Sequence, residues 1–407
     1  MSLTIAILGL AFLILIHEAG HFFVALAVGM RPRKFYVGFP PAVAKVRRNG
    51  IEYGLGAIPL GGFVKVPGMH RPAPSDLEVH LGRAVGEAPE LARPVERVKG
   101  RLAEGDMAGA RVELDRLEPA VEGSSLSPQA ARAARRGLTD LRDGLGQDAY
   151  WRQRTWKRVA FIFAGPATNL VFALLLLAVV FMIGVPFDTT RTVETVLPGT
   201  PAERAGLREG DEIVALNGRP VEPDRISERI RGSAGKPVAV TVLRDGERRR
   251  LAPARPRLDG GAYRLGFALE PEYRSYGPVE SLALAAEQSW EVTKLSGAAL
   301  GRLVTGENRK EVSSVVGITQ GSSQALEAGF RYYLWILALI SLSLALLNLL
   351  PLLPLDGGHI TFSIIEGIRG RALGREVYER VSMVGIVLVL FLFAIGLSND
   401  IGRLSGG

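Results

Sequence analysis

Four long apolar runs dominate the hydropathy pattern, at residues 3–28, 159–184, 332–353 and 381–397. Each is close to the roughly 20 residues needed to cross the hydrocarbon core of a bilayer. The pattern predicts four transmembrane helices. The last run, "MVGIVLVLFLFAIGL", is apolar on every face and suits lipid better than a soluble core. The first lacks the basic start and small-residue cleavage site of a secretory signal and continues into Arg31, Arg33 and Lys34, so it is expected to be retained.

The spans divide the remaining chain. Residues 1–69 hold the first span and a glycine-rich stretch in which "IEYGLGAIPLGGFVKVPGM" (51–69) predicts two short strands broken at Pro59 and at Gly61–Gly62. Apolar residues beside a basic anchor, Lys65, suit a hairpin that dips into the membrane. Residues 70–150 shift to Ala, Arg, Glu and Leu at helical spacing, predicting a helical insert over 75–148. The second span occupies 151–188, and strand and turn signals alternate through 189–272. Residues 273–331 open with an amphipathic helix over 278–303 and continue as a linker to the last two spans in 332–407. The expected fold is a polytopic α-helical membrane protein with a membrane-associated β-hairpin, a helical insert and one α+β domain.

Charge orients this plan. The 407-residue chain carries a formal net charge of +8, yet its basic residues form no stripe interleaved with aromatics, which excludes nucleic acid as the expected partner. They flank the spans instead: Arg31, Arg33 and Lys34 follow the first, Arg152, Arg154, Lys157 and Arg158 precede the second, and Arg369, Arg371, Arg375 and Arg380 lie between the third and fourth. By the positive-inside rule those connections, including the insert, are cytoplasmic. Both termini and the α+β domain are then extracytoplasmic. There is no cysteine, so a metal site must use nitrogen and oxygen ligands.

"HEAGH" (17–21) places such ligands inside the first span. His17 and His21 are four residues apart and share a helix face, which suits two ligands on one zinc ion. In HExxH sites the glutamate, here Glu18, acts as general base on a water and does not bind the metal. Ionisable groups within a span cost about 2.5–3.5 kcal/mol each on insertion scales and mark function by default. A third ligand must come from elsewhere. His70 and His80 lie in the polar insert, whereas Asp356 ends the third span and is followed by two glycines that permit a sharp turn. If the first helix runs inward, His21 lies about 10 Å from its cytoplasmic end, and the third helix brings Asp356 to the same leaflet. His359 is the rival ligand.

Two resemblances add to these readings. Residues 191–270 resemble a PDZ domain with permuted strand order, carried by "PAERAGLREGDEIVALNG" (201–218) and by "RLGF" (264–267). The likeness makes Leu265, Gly266 and Phe267 the loop that receives a peptide C-terminus; the same shape would also serve as a steric cover. The whole chain resembles the bacterial site-2 proteases, intramembrane zinc metalloproteases that include the regulator of sigma-E protease. "HEAGH", "FYVGFPP", "IPLGGFVKV", "FAGPATN" and "NLLPLLPLDGG" carry that resemblance.

It implies His17, His21 and Asp356 as zinc ligands and Glu18 as the base. It implies substrate reception by Asn169, Asn348, Pro351 and the strand-like loop through Gly61, Gly62, Phe63 and Val66. It further implies a bacterial inner-membrane location, with the active site toward the cytoplasm, and single-pass membrane proteins such as anti-sigma factors, or remnant signal peptides, as substrates. Two departures stand out. The family's second proline falls where this chain has Leu353, with Pro354 one residue later, and the insert at 75–148 is long. Two other functions fit the polar residues in the spans: a membrane metal transporter, and an inactive adaptor that presents its PDZ domain.

Overall fold

The structure is a computed structural model that describes residues 2–304 and 314–404. It contains two compact units, residues 1–176 with 286–407, and residues 177–285.

Helix α1 (Ser2–Ala27) buries one stripe, Leu13, His17, Gly20 and His21, while Leu8, Phe12, Leu15 and Phe23 are exposed. Apolar residues on the outer face leave the polar ones inside, the inverse of a soluble amphipathic helix. Gly29 closes the helix in the left-handed region, with Met30 N–H bonded back to the Ala25 carbonyl.

Strands β1 (Lys34–Arg48) and β2 (Ile51–Lys65) then pair antiparallel. Both bend. Residues 34–37 lie between 52–55 and 62–65, and residues 42–48 pair with 51–56, so two strands build a sheet four segments wide. The expected break at Pro59 and Gly61–Gly62 is absent: β2 is continuous and passes there from one edge of 34–37 to the other, because a bent strand can switch ladders without ending. Phe39, Val43, Val46, Leu55 and Ile58 are exposed on this hairpin.

Helices α2 (Pro74–Glu87), α3 (Ala92–Ala103), α4 (Met107–Gly123) and α5 (Pro128–Gly144) follow. Leu77, Leu81, Leu91, Leu114, Leu117 and Leu141 build a separate apolar core among them. Acids of α5 and the turn after it hold the root of the hairpin: Arg33 reaches Asp143 at 2.9 Å and Asp148 at 3.0 Å, and Lys65 reaches Asp140 at 2.6 Å.

Helix α6 (Thr155–Ile183) leads to the second unit. That unit holds β3 (Val185–Val196), α7 (Pro201–Arg204), β4 (Glu212–Leu216), β5 (Arg219–Pro220), α8 (Pro223–Arg231), β6 (Val240–Arg244), β7 (Glu247–Arg250), β8 (Arg257–Asp259), β9 (Ala262–Arg264) and β10 (Phe267–Arg274). Its main sheet runs β10-β3-β4-β6-β7, with β5 on β4, so β10 is an edge strand. Val193, Ile213, Ile226, Val240 and Val242 pack beneath it.

Helix α9 (Pro278–Val304) spans the predicted amphipathic segment. Where a linker was expected, α10 (Val315–Ala328) forms, and Gly329 at φ 136° separates it from α11 (Phe330–Asn348). Helices α12 (Asp356–Arg369) and α13 (Arg375–Leu404) complete the chain. Asp400 of α13 accepts hydrogen bonds from Ser314 N–H, Ser314 Oγ–H and Gly317 N–H, so a carboxylate caps α10. Among the described residues, four helices are long and apolar enough to cross a membrane: Ser2–Ala27, Thr155–Ile183, Phe330–Asn348 and Glu376–Gly402.

The third span corrects one expectation. The helix stops at Asn348, not 353, and Asp356 opens α12 instead of ending the span. Two prolines, Pro351 and Pro354, lack the N–H that would continue the helix. Gly357 and Gly358 are helical and make no turn; a Cβ on Gly358 would lie 2.5 Å from Leu353 N, so they let α12 fold back on its own lead-in.

In the second unit, buried Asp211 accepts two hydrogen bonds from Arg244, at 2.6 and 2.7 Å, and one from Arg208 N–H at 2.9 Å. Burial pushes its carboxyl up, but Arg244 and the Arg208 amide outweigh that and hold it below the usual carboxylate range. A lowered folded pKa contributes stability above the unfolded value of about 3.9, and that stability is lost as pH falls through the folded value. Asp211→Asn is expected to destabilise this unit by about 2 kcal/mol at pH 7. It should also flatten the acid limb below about pH 4. Hydrogen exchange of residues 185–274 in the purified full chain checks both, and equal protection in mutant and wild type would refute them.

Candidate metal centre

The buried stripe of α1 faces one side of α6. Phe161, Gly165 and Asn169 recur every four residues and therefore share that side. The helices approach closely because Gly20 has no side chain: a Cβ there would lie 2.6 Å from the Ala164 carbonyl oxygen. His21 Nδ1–H donates to the Phe161 carbonyl at 2.9 Å. A carbonyl only accepts, so neutral His21 keeps an unprotonated Nε2.

Asp356 reaches the same point from the start of α12. The far end of α12 is tied to α6 by Arg158 and Glu366, both largely buried, at 2.6 Å, and Ser363 bonds Tyr150 at 2.7 Å. Three atoms converge. His17 Nε2 lies 3.2 Å from His21 Nε2 and 3.2 Å from Asp356 Oδ2, and His21 Nε2 lies 3.4 Å from Asp356 Oδ2. Bonds of about 2.0–2.1 Å at tetrahedral angles put ligand atoms about 3.3–3.4 Å apart. The spacing is thus already that of three corners around one ion.

Two further observations fit a metal here. Asp356 Oδ2 is buried with no hydrogen-bond partner, which only a cation or a proton in that space relieves. Gly165 keeps the space open, since a Cβ would come within 2.8 Å of His17 Nε2 and 2.7 Å of His21 Cε1. Among the described residues, His17, His21 and Asp356 are the one cluster of three or more such donors. His359 lies one turn along α12, outside the cluster. His70 is exposed against Tyr378, and His80 packs over Gly137.

Glu18 is partly exposed, and its Cγ lies against Gly62, where a Cβ would come within 2.8 Å. It also interacts with the backbone of Val64. The hairpin therefore packs on the glutamate of the motif. Gly61 has φ 144°, and Phe63 stacks on Tyr36 with centroids 5.1 Å apart. Of the other predicted site residues, Asn169 is fully buried, with its amide 3.4 Å from His17 Nδ1. Asn348 bonds its own helix at Leu344 O, 3.0 Å away, and Pro351 is exposed beyond it.

Leu265, Gly266 and Phe267 belong to the second unit. They line a groove of about 600 Å³ together with Ser227, Ile230 and Arg231 of α8. Sequence reasoning did not single out Gly165 or the Phe161 carbonyl. The four-residue spacing that Phe161 and Gly165 share with Asn169 in "FIFAGPATN" was the available signal.

A carboxylate, Glu18, beside two imidazoles and a second carboxylate, within a set of membrane-length helices, suits a membrane metallopeptidase, although a metal transporter could carry the same three donors. The family model for peptidase family M50 matches residues 5–392, and the chain belongs to that family as a zinc-dependent metalloprotease. It is 30% identical over 453 residues to the regulator of sigma-E protease RseP of Salmonella typhimurium, covering 99% of both chains. It is 29% identical over 440 residues to that of Escherichia coli, covering 98% of each. The zinc metalloprotease RasP of Geobacillus kaustophilus is 28% identical over 408 residues, covering 96% of this chain and 95% of its own. Family membership sets the transporter reading aside.

Gly165→Ala is expected to weaken zinc binding about 5- to 150-fold, because overpacking of this size costs about 1–3 kcal/mol and about 1.4 kcal/mol is a factor of ten. Chelator competition on the purified protein measures it. Wild-type affinity in the variant would show that the space beside Gly165 is not where the metal sits.

Proposed function

We propose that the chain hydrolyses peptide bonds within or beside the transmembrane segments of single-pass membrane proteins, with His17, His21 and Asp356 holding zinc and Glu18 as general base. The observation that carries this reading is the tetrahedral spacing of Nε2, Nε2 and Oδ2, buried among membrane-length helices. Zinc held there supplies Lewis acidity, polarising the scissile carbonyl and lowering the pKa of water toward about 7. Glu18 takes the proton of the attacking water and passes it to the leaving amine nitrogen.

A helical substrate hides its peptide bonds, so it must unwind locally. Segment 62–65 of β2 pairs with 34–37 on one side and has no strand on the other among the described residues. Substrate added along that free edge regains the hydrogen bonds lost on unwinding, next to Glu18. In this reading Gly61, Gly62 and Phe63 present the edge, and Asn169, Asn348 and Pro351 border the substrate path. The exposed apolar residues of the hairpin favour its placement in the membrane.

Residues 189–272 act as an extracytoplasmic PDZ domain. Edge strand β10 and α8 flank the groove, and Leu265, Gly266 and Phe267 offer the loop for a peptide C-terminus. The flanking charges put the active site toward the cytoplasm, with both termini outside. The substrate classes proposed for this site are anti-sigma factors and remnant signal peptides.

Glu18→Gln is expected to keep zinc and to lower cleavage of a reconstituted single-pass substrate at least 100-fold. Cleavage at the wild-type rate would remove Glu18 from the mechanism. Asp356→Ala should lose zinc and activity together, measured by elemental analysis; retained zinc would shift the third-ligand role to another group such as His359.

A further inference from the structure

A cavity of about 810 Å³ lies between the chain leaving the hairpin, the start of α6, the end of α12 and the start of α13, and none of the three metal donors lines it. Its size is that of a small-molecule site. The spans set its depth. Thr155, on its wall, opens the second membrane-length helix, and Tyr378, also on its wall, lies in the first turn of the fourth. Trp156 is exposed at the same level, with Lys157 Nζ 5.8 Å from its ring centre. An exposed tryptophan and a lysine at the end of a span belong at the headgroup layer, so the cavity meets the membrane where lipid phosphates lie.

The charge of the wall is one-sided. It carries Arg71, Arg158 and Arg371 against one carboxylate, Glu366. That carboxylate is already used within the protein: Oε2 accepts from Arg158 Nη2 at 2.6 Å, and Oε1 accepts from Leu373 N–H at 2.9 Å, which pins the loop carrying Arg371. Arg158 is buried, and Glu366 does not satisfy it, because its Nε has no hydrogen-bond partner. Arg71 stacks on Trp151, 5.4 Å from the ring centre, and Arg152 shares the same ring at 5.1 Å. The ring is fixed in turn by its Nε1–H bond to the Gly144 carbonyl, at 2.8 Å. Among the described residues neither Arg71 nor Arg371 forms an ion pair. Cations gathered in this way repel one another until an anion joins them, and the planar fork of a guanidinium matches two oxygens of a phosphate.

We infer that this cavity is a binding site for the phosphate group of an anionic phospholipid, held by Arg71, Arg158 and Arg371. Basic pockets between membrane helices take acidic headgroups in this way. The inference goes beyond peptide-bond hydrolysis and rests only on the placement of the spans in a membrane. Arg158 and Glu366 also tie down α12, which starts at Asp356, so the lipid shares a wall with the pair that sets the register of the third metal donor.

Titration of phosphatidylglycerol into the zinc-loaded full-length protein in nonionic detergent, read by native mass spectrometry, tests it. The wild type should hold phosphatidylglycerol about tenfold or more tighter than zwitterionic phosphatidylcholine. Arg71→Gln with Arg371→Gln should weaken that binding about 30-fold. Arg71→Lys with Arg371→Lys keeps both charges and should fall between that form and the wild type. Arg154→Gln with Arg369→Gln removes the same charge near the membrane but off the cavity wall, and should keep the wild-type affinity. Equal binding of the two lipids overturns the inference, as does an equal loss in the glutamine pair and the off-wall pair, or a lysine form as weak as the glutamine form. Inorganic phosphate separates the two sources of the anion: if it binds in a manner sensitive to the glutamine pair while phosphatidylglycerol does not bind, the ligand is free phosphate and the lipid assignment fails.

Discussion

Three lone-pair atoms held about 3.3 Å apart inside apolar surroundings repel one another unless a cation or a proton stands between them. The rest of this structure can be understood as what enforces that arrangement. His17 and His21 share a face because they are four residues apart on α1, but Asp356 arrives from a helix that begins more than 300 residues later. Its position is secured away from the site, by the buried Arg158–Glu366 pair and the Tyr150–Ser363 bond between α6 with its approach and α12. A buried ion pair adds little net stability, yet it fixes register well, and here register is what the third donor needs.

Close approach is the second requirement. Glycine at 20, 62, 165 and 358 lets backbone or histidine rings occupy space that a methyl group would fill. In lipid, helices gain nothing from burying apolar side chains against each other, so contact between small residues and a few hydrogen bonds carries their association. Tyr333 bonding to Ile5 O across Gly9, and Ser341 bonding to Asn169 O, extend the same logic to α11.

The hairpin brings a second kind of chemistry to the same place. A helix supplies no free edge, whereas β2 offers one beside Glu18. Its root is held by Arg33 and Lys65 on acids of α5 and of the turn that follows it. Part of the long insert therefore acts as the counterweight for the strand that packs on the motif glutamate, a role its composition does not announce.

Much of the architecture was legible in the sequence, because membrane spans are written as uninterrupted apolar runs and HExxH writes its geometry in the four-residue period of one helix. The four spans and the two histidines with Glu18 are local properties of that kind. What local pattern could not decide is where chains distant in sequence meet. Pro351 and Pro354 ended α11 early and moved Asp356 to the start of α12, β2 crossed Pro59 by passing to the other edge of 34–37 instead of breaking, and a helix replaced the linker before Phe330. Gly165 and the Asn169 amide gained their meaning only from the histidines opposite them. The sequence by itself determined which groups could bind a metal; the packing of α1, α6 and α12 decided that they meet, because ligand spacing is a distance between helices and no single helix contains it.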